Sequence, residues 1–242
     1  MNVSSQADHI AHKVYLVATI RPWNVETFQS ALTQLPGKWH LLTSPAQLTV
    51  EYVARLKPRY IFFPHWSEKV PPAILNLSEC VCFHETDLPY GRGGSPIQNL
   101  IVRGHSTTQI TALRMVDELD AGPVYMKRPL SLEGRAEDIF IRASHIIAGM
   151  MKEIVKTNPV PVAQTGTPTI FKRRTPEQSE IHSDIRTAAQ LYDHIRMLDA
   201  PEYPLAFADL HEFRMRFGHA SYNPGTDEVT ATVIFKPKDS QE

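Results

Sequence analysis

Apolar residues in this chain fall into short runs separated by polar, proline- or glycine-bearing segments, and the period of each run predicts its element. Residues 13–20, with Val14, Leu16 and Val17 apolar, predict a largely buried first strand, after which Asn24 is expected to cap a helix reaching about Leu35. Strands are expected at 39–42, 60–63, 80–83, 109–116 and 124–128, with a short Thr49-capped helix over 49–56. Ser95 is placed to cap a helix over 96–102 that opens on Pro96. Residues 137–156 carry Ile139, Phe140, Ala143, Ile146, Ile147, Met150 and Ile154 at helical spacing, which predicts a long amphipathic helix packed on a sheet.

Strands alternating with helices predict an α/β domain with a mostly parallel, Rossmann-like sheet over residues 1–160. The first eleven residues read as a frayed tail. From Thr157 the composition changes: Pro159, Pro161 and Pro168 among Thr and Val read as a linker. A helix over 187–198 and three alternating runs at 205–210, 213–217 and 229–235 follow. Residues 161–242 are therefore expected to form a linker, a helix and a small antiparallel β appendage, with a turn at Asn223-Pro224-Gly225. Phe207, Phe213 and Phe235 would form a small core there, which is preferred, or a dimer interface.

Composition narrows the class. A net charge of -1 gives no electrostatic footprint for nucleic acid, whose binding draws on neutralised phosphates. No apolar run approaches the roughly 18 residues of a membrane span, and the polar start is not a signal peptide. Cys80 and Cys82, the 2 cysteines of the chain, are adjacent on one strand face and unsuited to pair, which fits a reducing, cytoplasmic setting. The segment 18–23 lacks the glycine pattern of a dinucleotide fold, so a nicotinamide or flavin is not expected. His65, His84, Asp87, His105 and Asp120 lie near strand ends, but no paired ligand spacing supports a metal.

The densest chemistry lies between Glu79 and Tyr125. Here His84-Glu85-Thr86-Asp87-Leu88-Pro89, then Gly93-Gly94-Ser95-Pro96, then Leu119-Asp120-Ala121-Gly122-Pro123 follow in order. These three motifs resemble those of the folate-dependent formyltransferases, Asn-x-His-Pro-Ser-Leu-Leu-Pro, Gly-x-x-Pro and Leu-Asp-x-Gly. The resemblance implies a formyltransferase domain that moves a formyl group from N10-formyltetrahydrofolate to an amine. It implies His84 as the group facing the formyl oxygen and Asp120 as the residue that orients it, both expected at the carboxyl edge of adjacent strands. It places Trp66, Val116, Asp117 and Leu119 around the folate, although Trp66 reads equally well as core. Thr86, Tyr90, Arg92, Gly93 and Gly94 would meet the acceptor; a tight turn with a solvated Arg92 explains the same glycines as well.

The resemblance breaks at one position. Cys82 stands where the family has asparagine, and a thiol is a weak donor for an oxygen that becomes negative. Asn99 is too far along the next helix to be assumed a substitute. Cys82 as a nucleophile paired with His84 has only their shared strand face in its favour. Within the family the motifs look most like the enzymes of nucleotide-sugar pathways, those of pseudaminic-acid type above all. The acceptor is thus expected to be a UDP-linked 4-amino-dideoxy sugar rather than a nucleic acid. The family's tRNA-directed members carry a much longer region after the catalytic domain, which also disfavours tRNA. Hydrolysis of formyltetrahydrofolate, and a non-catalytic folate- or nucleotide-sugar-binding protein, remain alternatives, and a homodimer is left open.

Overall fold

The computed structural model describes residues 12–238; the expected N-terminal tail lies outside the described residues. Two compact units interleave along the chain. The first comprises the residues up to Gly93 with Gln109–Leu130 and Ile141–Ile170; the second comprises Gly94–Thr108, Ser131–Phe140 and the residues from Phe171 on.

The first unit is built on a six-stranded sheet in the order β2-β1-β3-β4-β6-β7. Its members are β1 (Val14–Ala18), β2 (Lys38–Leu42), β3 (Tyr60–Pro64), β4 (Glu79–His84), β6 (Thr107–Arg114) and β7 (Val124–Ser131). The first four run parallel, as the strand-helix alternation predicts. Because side chains alternate across a strand, Leu16, Ala18, Ile61, Phe63 and Cys80 share one face. Helices α2 (Val50–Leu56) and α3 (Pro72–Leu77) cover that face through Val53 and Ile74. Tyr15, Tyr60, Phe62 and Phe83 fill the opposite face as a chain of ring contacts. There Thr27 of α1 (Pro22–Ala31) and Ser144 of α5 (Ala136–Thr157) meet at 2.8 Å.

Three local expectations are corrected. Asn24 does not cap α1: Pro22 starts the helix with a preset φ, so Asn24 falls inside the first turn and its buried amide donates to Thr19 Oγ1 and Pro64 O. Ser95 precedes α4 (Pro96–Val102) in a left-handed conformation that turns its hydroxyl away from the helix, and its Oγ accepts the Arg174 N–H at 3.1 Å. Finally, β6 pairs antiparallel with β4, His84 opposite Thr111 and Val81 opposite Arg114, so the carboxyl ends of those two strands point opposite ways. Thr49 does cap α2, accepting the Tyr52 N–H at 3.1 Å.

Two short strands had no period long enough to be read: β5 (Tyr90–Gly93) and β8 (Thr169–Phe171), which pair with each other. The second unit contains α6 (Ala188–Arg196) and the antiparallel sheet β11-β10-β9, formed by β9 (Ala206–Leu210), β10 (Phe213–Asn223) and β11 (Glu228–Pro237). The preferred small phenylalanine core is not there. Phe213 and Phe235 are 46% and 56% exposed, and Phe207 lies on the opposite sheet face beneath the Arg214 guanidinium.

Candidate functional site

His84 closes β4, and its imidazole is held at one nitrogen and faces a carboxylate with the other. Nε2 lies 2.7 Å from the Gly91 carbonyl oxygen. A carbonyl only accepts, so Nε2 carries the proton, and Nδ1 is left facing Asp120 Oδ2 at 3.6 Å. The two side chains are only 10% and 9% exposed, so their interaction is weakly screened. Thr86 donates to the same Gly91 carbonyl at 3.3 Å, and Thr111 on the neighbouring strand donates to Thr86 O at 2.6 Å. This places the glycine turn over His84.

Asp120 reaches His84 although β6 runs away from it, because the 115–123 loop doubles back. Gly122 permits the fold-back: a Cβ there would lie 1.7 Å from Arg114 O, and the Arg114 N–H donates to Pro123 O at 2.9 Å. Asp120 itself is left-handed at φ 53°, a conformation aspartate tolerates better than most residues. Its Oδ2 accepts the Gly93 N–H at 2.9 Å. Gln164 donates from Nε2 to Asp120 O at 2.7 Å and to Gly122 O at 2.8 Å. The Gln164 Oε1 accepts from Arg92 Nε and Nη2 at 3.2 and 2.9 Å, while Arg92 Nη1 donates to Glu118 Oε1 at 3.1 Å.

His84, Thr86, Arg92, Gly93 and Asp120 thus come together in one hydrogen-bonded cluster, and Arg92 is not simply solvated. Cys82 lies on the same strand face as His84 and is half-buried as a residue. Burial first, and then the nearby Asp120 carboxylate, push that thiol well above its ordinary pKa. Cys82 is therefore a neutral thiol near pH 7 and has no thiolate with which to act as a nucleophile. Glu85, which follows His84 and is buried, is pushed up by burial and held back by His84.

The remaining expected residues lie further out. Leu119 and Val116 are 70% and 39% exposed, and Asp117 pairs with Lys69 at 3.3 Å on the surface. Trp66 packs edge-on to Phe63 at 5.7 Å against the sheet core, yet its buried indole N–H has no hydrogen-bond partner among the described residues. Tyr90 is half-buried, with its backbone N–H donated to Asp87 O. In the second unit Gly94 is required by packing, since a Cβ would meet the Arg173 backbone at 2.6 Å. Asn99 does not replace the missing asparagine: its Nδ2 donates to Gly94 O, Ser95 O and Lys172 O, each at 3.0 Å. Sequence reasoning missed Gln164, Thr111 and the Gly91 carbonyl. Only Gln164 left a trace, as a long polar side chain within the proline-bearing segment.

Residues 176–236 match the family described as the methionyl-tRNA formyltransferase C-terminal domain. A solved structure titled methionyl-tRNA formyltransferase, from Clostridium thermocellum, is 42% identical, covers 93% of this chain and 99% of its own, and superposes with a TM-score of 0.89. The chain belongs to the formyltransferase family. The methionyl-tRNA formyltransferase of Bacillus mycoides (strain KBAB4) is 29% identical over 168 residues, 66% of this chain and 53% of that protein. The chain thus spans about half the length of the curated relatives it matches. A 4-N formyltransferase structure from Francisella tularensis shares the fold, with a TM-score of 0.67 at 15% identity over 85% of this chain and 96% of that one.

Proposed function

We propose that this protein transfers the formyl group of N10-formyltetrahydrofolate to the amino group of a small acceptor, a nucleotide-linked 4-amino sugar. The observation that carries the reading is the buried His84–Asp120 pair, held under a glycine turn at 3.6 Å by the folded-back loop. Formyl transfer makes a C–N bond to the acceptor, breaks the bond from the formyl carbon to N10, and moves one proton from the amine to N10. The formyl oxygen becomes negative between these events, so a fixed donor lowers the barrier. The Nε2–H of His84, now taken by Gly91 O, is the donor that the formyl oxygen takes over. Asp120 orients the ring or a bridging water and offsets the positive charge of an imidazolium as the proton passes.

The polypeptide offers apolar and polar contacts of the kind a folate needs. Leu119 and Val116 present exposed apolar surface in the same loop as Asp120, and Trp66 holds a buried N–H without a partner among the described residues. Trp66, Val116, Asp117 and Leu119 are proposed to contact the folate. Thr86, Tyr90, Arg92, Gly93 and Gly94 are proposed to border the acceptor, where Arg92 offers a charge to a diphosphate. The net charge of -1 supports a small acceptor over tRNA. The methionyl-tRNA formyltransferase relative from Clostridium thermocellum favours methionyl-tRNA by its name, and that is the second reading. The protein is further proposed to act in the cytoplasm as a homodimer.

The deciding experiment supplies N10-formyltetrahydrofolate with a panel of amino-sugar nucleotides and, separately, methionyl-tRNA, and follows tetrahydrofolate release and acceptor mass. One added carbonyl on a sugar nucleotide supports the first reading; formylated methionyl-tRNA replaces it with the second. Formate with neither acceptor changed indicates a hydrolase, and folate binding without turnover a binding protein. His84→Ala and Asp120→Ala are each expected to lower kcat by about 100-fold or more. Full activity in either variant rejects the assigned roles.

A further inference from the structure

Gln164 touches neither His84 nor the Asp120 carboxylate, yet it is bonded on every side to the groups that set them. Its Nε2 spans two carbonyls of the folded-back loop, Asp120 O and Gly122 O, which bound the stretch leading out of the left-handed Asp120. Its Oε1 takes two donors from Arg92, and Arg92 also holds Glu118 at the near end of the same loop. Arg92 and Gly93 are consecutive on β5, and the Gly93 N–H is the donor that Asp120 Oδ2 accepts. The loop and the β5 strand are therefore joined at both of their working ends through one half-buried side chain.

We infer that Gln164 is a positioning residue for the reaction, a clamp that holds Asp120 at its distance from His84. The inference rests on the formyl-transfer reading for its kinetic consequence but not for its structural one. A non-glycine residue in the left-handed region is disfavoured on its own and persists where its surroundings fix it. The two carbonyl bonds from Gln164 hold the peptide that follows Asp120 and the turn at Gly122, so the backbone on the carboxyl side of that residue is fixed. Without them Asp120 is free to leave φ 53°, and the Oδ2 contacts to Gly93 N–H and toward His84 Nδ1 go with it. A glutamate at 164 would keep an acceptor for Arg92 but turn a carboxylate oxygen onto the two carbonyls. This separates the clamp from the Arg92 contact.

The test combines kinetics with a readout that needs no activity. The Gly93 amide, bonded to a carboxylate, is expected to have a downfield proton resonance and slow hydrogen exchange in the wild-type protein. Gln164→Ala and Gln164→Glu, like Asp120→Ala, are expected to move that resonance upfield and speed its exchange. Asn158→Ala is the control; it removes hydrogen bonds to Arg59 and Tyr60 at a distant, also left-handed residue of the same unit, and is expected to leave Gly93 unchanged. With a formyl acceptor in hand, Gln164→Ala is expected to lower kcat by roughly 10- to 100-fold, the effect of losing the two bonds to the loop carbonyls together with the two from Arg92. The same change in an Asp120→Asn background should cost less than about threefold, because the two act as one unit. An unmoved Gly93 amide in both Gln164 variants, or an equal kinetic loss with and without Asp120, overturns the clamp. Absence of formyl transfer from the wild-type protein while Gly93 still responds removes the reaction and leaves the positioning role standing.

Discussion

At the scale of single residues, burial decides the chemistry of the two thiols. Cys80 faces the packed side of the sheet, and burial, with a smaller contribution from Glu79, raises its pKa from 9.0 to about 12. The folded state thus keeps a proton that the unfolded state loses near pH 9, so the contribution is complete below about pH 9 and is lost as pH rises toward 12. Urea unfolding at pH 8 and pH 11 should show a shallower loss of stability in Cys80→Ala than in the wild-type chain, although the variant is less stable at both. Equal losses would mean that the thiol carries no linkage. Cys82 is governed by the same burial together with Asp120, which makes it a neutral and weak donor. Cys82→Ala is accordingly expected to keep kcat within about threefold of wild type. A loss like that of His84→Ala would place the thiol in the reaction.

At the scale of elements, close backbone approach explains what a residue pattern cannot. Gly122→Ala would drive a Cβ into Arg114 O, which is backbone and cannot swing aside, so the 115–123 loop must shift. A cost of about 1–3 kcal/mol is expected in chemical denaturation, with loss of turnover as Asp120 is dragged along. Gly149 lies inside α5 with nothing within 4 Å of an added Cβ, and Gly149→Ala should stabilise by roughly 0.5–1 kcal/mol. If the two variants behave alike, the approach to Arg114 is not what selects glycine. The same contrast separates what was legible in the chain from what was not. The strands β1 to β4 and the long helix α5 announced themselves through unbroken apolar periods. The approach of Asp120 to His84 was legible because the motifs carry both residues. The antiparallel direction of β6 was not, because it is set by the path of residues 85–106 between β4 and β6, which leaves no period in the chain, and the doubling back that brings Asp120 home rests on the single Gly122. Gln164 was hidden because a segment read as a spacer supplies one side chain to a site more than forty positions away.

At the scale of the whole molecule, the open question is what covers the β11-β10-β9 sheet. Register puts Leu210, Phe213, Met215, Phe217, Val233 and Phe235 on one face. Leu210, Phe213, Val233 and Phe235 are 37–56% exposed, an apolar face and a long edge strand of the sort that proteins normally blunt or pair. The proposed homodimer supplies a partner with matching chemistry. The Lys238 N–H donates to Glu212 O, so even-numbered residues of β11 turn their backbone groups toward β10 and odd-numbered ones turn them outward. Antiparallel pairing of two β11 strands centred on Thr232 uses those outward groups. It sets Val229 against Phe235 and Glu228 against Lys236 of the second copy, an apolar pair beside an opposite-charge pair. Light scattering at micromolar concentration should report twice the chain mass, and Phe235→Glu should give the single mass with an unchanged circular dichroism spectrum. Glu228→Lys is the sharper variant, since it opposes like charges at both ends of the pairing and alters nothing on the apolar face. If Glu228→Lys stays dimeric while Phe235→Glu does not, the contact is face to face and the strand edges are not joined. A wild-type protein of single mass would leave that apolar face to a partner of another kind.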